Sequence, residues 1–76
     1  MKNVRIYPNP ANDILYIEST LNIEQVGVYD ISGRLLKQFS TINKDHNISI
    51  NDLVNGIYLV KITIEQKDYI YKMIKD

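Results

Sequence analysis

The sequence predicts an all-β fold, a seven-stranded antiparallel β-sandwich, from three observations. Short stretches alternating apolar and polar side chains recur along the chain, turn-forming Pro, Gly, Asn and Asp separate them, and no stretch sustains a helical period. The clearest runs from Gly56 to Glu65, where Tyr58, Val60, Ile62 and Ile64 share one parity and form an unbroken apolar face in an extended chain. The opposite parity opens apolar at Ile57 and Leu59 and turns to Lys61, Thr63 and Glu65, the pattern of a strand covered at one end and wet at the other.

In chain order, Val4 to Tyr7 alternates as a short strand and stops at Pro8-Asn9-Pro10, because two prolines fix φ and remove two N–H donors. Such a strand belongs at a sheet edge. Asn12-Asp13 supplies a turn, and Ile14 to Glu18 follows with Leu15 and Ile17 inward. After a loop from Ser19 to Asn22, Ile23 to Tyr29 reads as a strand with Val26 and Val28 facing the core. Gly27 between them marks a bulge or a close backbone approach.

Asp30-Ile31-Ser32-Gly33 predicts a hairpin turn, with the aspartate at its first position and glycine where a left-handed residue starts the return. The return strand, Arg34 to Ser40, has adjacent Leu35 and Leu36, and a bulge would let both be used. Thr41 to His46 reads as a polar loop, Asn47 to Ile50 as a strand, and Asn51 to Asn55 as a capped turn crossing between sheets. A tight turn is expected at Gln66-Lys67-Asp68, then a last strand from Tyr69 to Lys75 with Tyr69, Tyr71 and Met73 inward. In Leu53 to Tyr58 a tyrosine enters a strand just after a connection, the corner of an immunoglobulin-like sandwich in which the hydroxyl bonds back to that connection.

At 76 residues there is room for one domain. Nine basic and nine acidic residues cancel, so no net field attracts nucleic acid or an anionic membrane. With no cysteine there is no disulfide framework. No apolar run approaches the ~20 residues of a membrane span, and Met1 to Arg5 lacks the apolar stretch of a signal peptide.

Candidate chemistry is sparse. Ser19, Ser32, Ser40 and Ser49 all lack a nucleophile-elbow setting, and His46, the single histidine, falls in the expected polar loop. Asp13 and Asp30 have no spacing that implies paired acid and base work. Asn9, Asn12, Asp13, Asp45, Asn47 and Asp52 are oxygen donors of the kind calcium accepts, but they lack calcium-loop spacing and read as turn formers. No catalytic residue, cofactor or metal site is assigned. Asn47-Ile48-Ser49 matches the short N-glycosylation pattern and carries no weight alone. Tyrosines at 7, 16, 29, 69 and 71 keep open an alternative, a small carbohydrate-binding module appended to a secreted enzyme, with Tyr16 and Tyr29 as stacking platforms.

Four pieces in order carry a family resemblance: Tyr7-Pro8-Asn9-Pro10, then Asp30 with Gly33, then Leu53 with Gly56 and Tyr58, then the lysine-bracketed end Lys72-Met73-Ile74-Lys75. Together they resemble the type A C-terminal sorting domain of the type IX (Por) secretion system. That resemblance implies a non-catalytic signal on an exported cargo, with residues 1–76 a single domain of a larger protein fused behind the cargo. It further implies passage through the periplasm to the cell surface or medium, and as partners the outer-membrane translocon, a shuttle protein and a sortase that in some members removes the domain and anchors the cargo. The isolated domain is expected to be monomeric. Tyr7, Pro8, Asn9, Pro10, Asp30, Gly33, Leu53, Gly56 and Tyr58 then have mainly structural duties. Recognition is assigned to the last strand, Tyr69, Tyr71, Lys72, Met73, Ile74 and Lys75, with Tyr69 and Met73 holding it in the sandwich, Lys72 and Lys75 projecting outward, and its edge open to strand addition.

Overall fold

The computed structural model describes residues 4–8, 10–42 and 45–76. They form β1 (Val4–Tyr7), β2 (Ile14–Ser19), β3 (Ile23–Asp30), β4 (Leu35–Ile42), β5 (Asp45–Ser49), β6 (Gly56–Ile64) and β7 (Lys67–Lys75). Two antiparallel sheets result, one ordered β1-β2-β5 and the other β4-β3-β6-β7, packed as a sandwich. β6 lies inside the larger sheet, and its alternation decides the packing: Tyr58, Val60, Ile62 and Ile64 are all buried. Leu15, Ile17 and Ile48 meet them from the smaller sheet, and Val26, Val28 and Met73 flank them within their own. Ile57 is half exposed instead, so the apolar start of the opposite parity is not covered.

Most boundaries follow the turn chemistry. β1 ends before Pro8, which follows a cis peptide bond, and lies at a sheet edge. At the β3–β4 turn Gly33 takes φ 94°, a left-handed value a Cβ opposes, and its N–H donates to the Asp30 carbonyl at 3.0 Å. The Asp30 carboxylate accepts from the Ser32 and Arg34 backbone N–H groups at 3.0 Å each and from the Ser32 hydroxyl at 2.6 Å. Tyr29 pairs with Leu35 and Val28 with Lys37, so Leu36 is the extra residue of a bulge and packs on the core while Leu35 faces outward.

The crossover between sheets turns at Ile50 to Leu53, with the Leu53 N–H on the Ile50 carbonyl at 3.0 Å and the Leu53 side chain against the core. Beyond it the Tyr58 hydroxyl donates to the Val54 carbonyl at 2.5 Å, the corner bond expected from the sequence. Gly56, at φ 158°, opens β6 between them.

Three boundaries differ from expectation, the first being that β4 runs on through Thr41 and Ile42 where a loop was expected. His46 lies not in a loop but on β5, because pairing of Ile17 with His46 and Glu18 with Asp45 extends the β2–β5 ladder. Its ring sits inside the rim, 5.5 Å from that of Phe39. β6 ends at Ile64 and β7 begins at Lys67, so the turn is Glu65-Gln66, with φ of 51° and 65°. A two-residue hairpin of type I′ needs positive φ at both central positions, a need usually announced by Asn or Gly; here neither is present.

Ala11 ties the two sheets together. Buried in the connection from β1 to β2, it donates its N–H to the Ile74 carbonyl and accepts from the Asp76 N–H, both at 2.8 Å, bridging to β7 in parallel.

Two stability measurements check this description. Tyr58→Phe removes the corner hydrogen bond and lowers unfolding free energy by about 0.5–1.5 kcal/mol, read as a lower urea midpoint at unchanged slope. Gln66→Gly relieves one left-handed residue and raises the midpoint, by about 0.5–1 kcal/mol after the added flexibility of the unfolded chain is subtracted. A lowered midpoint for Gln66→Gly contradicts the strained turn.

Candidate functional site

The expected recognition strand divides by parity. Met73 and Lys75 face inward and are buried, and Tyr69 and Tyr71 are half-buried against the core. Burial raises the pKa of the Tyr71 phenol, with a smaller push from Tyr69. The outward set is Ile70, 62% exposed, with Lys72 exposed and Ile74 half-buried. Lys75 therefore does not project outward. Residues 72 and 75 lie an odd number of positions apart and must occupy opposite faces of a strand. The Lys75 ammonium reaches the Asp76 carbonyl at 3.2 Å.

The edge is also less open than expected. β7 ends the sheet order, but Ala11 already bonds the Ile74 carbonyl and the Asp76 N–H. Strand addition over the last residues would have to displace that bridge. Among the motif positions, Tyr7, Pro8, Pro10, Asp30, Gly33, Leu53, Gly56 and Tyr58 sit in turns, corners and strand ends. Asn9 falls outside the described residues.

What sequence reading missed is the surface beside β7. Tyr29, Gly33, Leu59, Lys61 and Ile70 line a shallow groove of about 270 Å³ on the outer face of the four-stranded sheet. Gly27 makes it possible, because a Cβ there would stand 2.9 Å from Tyr29 Cε1 and lift the ring off the sheet. The Lys61 ammonium lies 5.3 Å from the centre of that ring, and its hydrogen bond with Tyr29 raises the lysine pKa, helped by Asp68. The signal was present as Ile57 and Leu59 on β6 and Ile70 and Ile74 on β7, apolar residues on the faces opposite the core.

On the other sheet's outer face Tyr7 and Tyr16 stack at 5.5 Å and 19°. Glu18 accepts from the Tyr7 hydroxyl at 2.8 Å and from the Arg5 guanidinium at 2.7 Å, and these bonds hold its pKa below the usual carboxylate range. Tyr16 thus spends one ring face on Tyr7, and Tyr29 lies between Gly27 and Lys61, so neither is a bare platform for a sugar. His46 Nε2 is buried without a hydrogen-bond partner among the described residues, while the Ser32 and Ser49 hydroxyls bond Asp30 and Asn51. Among the described residues no three His, Cys, Asp or Glu side chains are grouped to hold a metal.

The model of the secretion system C-terminal sorting domain family matches residues 5–76. The chain belongs to that family. It is a C-terminal sorting signal of type IX secretion, which ties it to the secretion machinery and to export to the cell surface or medium. A solved structure of PorZ, an essential bacterial surface component of the type IX secretion system of Porphyromonas gingivalis, has a similar fold, with a TM-score of 0.74 at 22% identity. The match covers 97% of this chain and 11% of the PorZ chain. No curated protein matches the sorting domain in sequence.

Acid titration probes the turns that hold this domain. The pKa of Asp30 is depressed by the Ser32 hydroxyl and then the Arg34 N–H, that of Glu18 by Tyr7 and Arg5, and that of Asp52 by Lys37 at 3.0 Å. Carboxylates with depressed folded pKa contribute stability that is complete above their unfolded values, about 3.9–4.3, and lost as pH falls through the folded ones. The urea midpoint is therefore expected to fall in acid, and Asp30→Asn to lower it at neutral pH and flatten its acid limb. An unchanged acid limb removes Asp30 from the account.

Proposed function

We propose that this domain is a non-catalytic export tag, fused at the C-terminal end of a larger protein that crosses the inner membrane on a separate N-terminal signal. The family match over residues 5–76 carries the reading. From the periplasm the tag engages the outer-membrane translocon and a shuttle protein as a monomer, and a sortase removes it where the cargo is anchored. The similar fold in PorZ, itself described as a component of this system, supports the assignment. The Tyr58 corner bond supports placing the sandwich with immunoglobulin-like domains.

Recognition in this reading belongs to the outward side of β7, Ile70 and Lys72 above all, while Tyr69, Tyr71, Met73 and Lys75 seat the strand. The division rests on exposure: a receptor reads side chains that reach it, and Met73 and Lys75 do not.

A fluorescent protein targeted to the periplasm and fused ahead of the domain tests this in a type IX-competent bacterium. Ile70→Ser/Lys72→Ala is expected to keep the melting temperature and reduce surface delivery about tenfold, the loss from ~1.4 kcal/mol of recognition. Delivery at the wild-type level by the folded double variant removes this face from recognition. Delivery of the fluorescent protein without the domain removes the export reading itself.

A further inference from the structure

We infer that the groove on the outer face of the four-stranded sheet docks a protein segment presenting an aliphatic or aromatic side chain flanked by carboxylates. Of the large apolar side chains most exposed among the described residues, Leu35, Ile57 and Ile70 lie on this face, and Ile31 and Val54 in turns at its end. Exposed apolar side chains gathered on one face and at its end are characteristic of interaction sites.

The register arranges the charges. Leu59 lies beside Lys72 and Lys61 beside Ile70 across the β6–β7 pair, so the apolar diagonal Leu59 to Ile70 crosses a cationic diagonal Lys61 to Lys72. An anchor seated on the first diagonal has a lysine on either side. Asp68, the acid on the same face of β7, accepts from the Thr63 hydroxyl at 2.7 Å, and Lys61 is in no ion pair among the described residues. An acid–apolar–acid segment complements this pattern in both shape and charge.

Other occupants fit less well. A second copy docked about a two-fold axis would present this same face, whose acid on β7, Asp68, is already bonded to Thr63 and so offers the lysines no ready carboxylate. An anionic membrane is read by clusters of roughly four to eight basic residues, whereas this face offers two in a chain of zero net charge. A stacked sugar would need the ring of Tyr29, which Lys61 overlies.

The test uses the 76-residue chain, isotopically labelled, with two capped peptides as probes, Gly-Glu-Leu-Glu-Gly and Gly-Lys-Leu-Lys-Gly. The acidic peptide is expected to shift the amides of Leu59, Lys61, Ile70 and Lys72, with affinity falling as salt is raised, and the basic peptide to leave them in place. Lys61→Gln and Ile70→Ser, both at exposed or half-buried outer positions, each weaken the acidic peptide about three- to tenfold without changing the melting temperature. Equal binding of both peptides, shifts confined to another face, or no shift at about 5 mM peptide, beyond the millimolar affinity expected of so small a ligand, overturns the inference. So does binding to phosphatidylglycerol vesicles in place of the peptide, or dilution-dependent shifts of the same amides without any probe. Because binding is read in solution, its failure is distinct from a failure of export.

Discussion

Four side chains on one side of β6, Tyr58, Val60, Ile62 and Ile64, are the constraint on which the remainder of the domain depends. β6 is hydrogen-bonded on both flanks, to β3 and β7, so its inner face fixes the register of three strands at once. A one-residue slip would turn all four outward, and a chain this small has little other apolar surface to bury in their place. The corner at Tyr58 enforces the same register from outside the strand, because the hydroxyl reaches Val54 only when the ring points into the sandwich.

That constraint is passed to β7 and sorts its residues onto two faces. Paired along its length with β6, β7 inherits the inward parity at Tyr69, Tyr71, Met73 and Lys75 and the outward parity at Ile70, Lys72 and Ile74. Buried and exposed side chains therefore alternate along the same stretch. A motif such as Lys72-Met73-Ile74-Lys75 looks like a block in sequence and is two opposite faces in space.

Strand existence and core parity were legible because both depend on local alternation, which 2-residue periodicity exposes directly. So was the Asp30 to Gly33 turn, whose aspartate and glycine name its geometry. The Glu65-Gln66 turn was not, since residues without turn preference are forced into left-handed conformations by the strands they join. His46 misled for a related reason: its neighbours are polar, but the partner that makes it part of a strand, Ile17, is far away in sequence. The groove around Leu59 and Ile70 was hidden because its residues come from three strands and a turn, and no single window contains it.

The bridge from Ala11 to Ile74 and Asp76 spans nearly the whole chain. Protein synthesis runs from the amino end, so Ala11 emerges well before either of its partners, Ile74 and Asp76. Until they arrive, the larger sheet lacks the final residues of its outer strand and Ala11 has nothing to bond. Closure of this bridge thus requires the whole stretch from Ala11 to Asp76. A product broken off before Ile74 carries Ala11 with both of its backbone groups unmatched, so a single contact separates a closed sandwich from a truncated one.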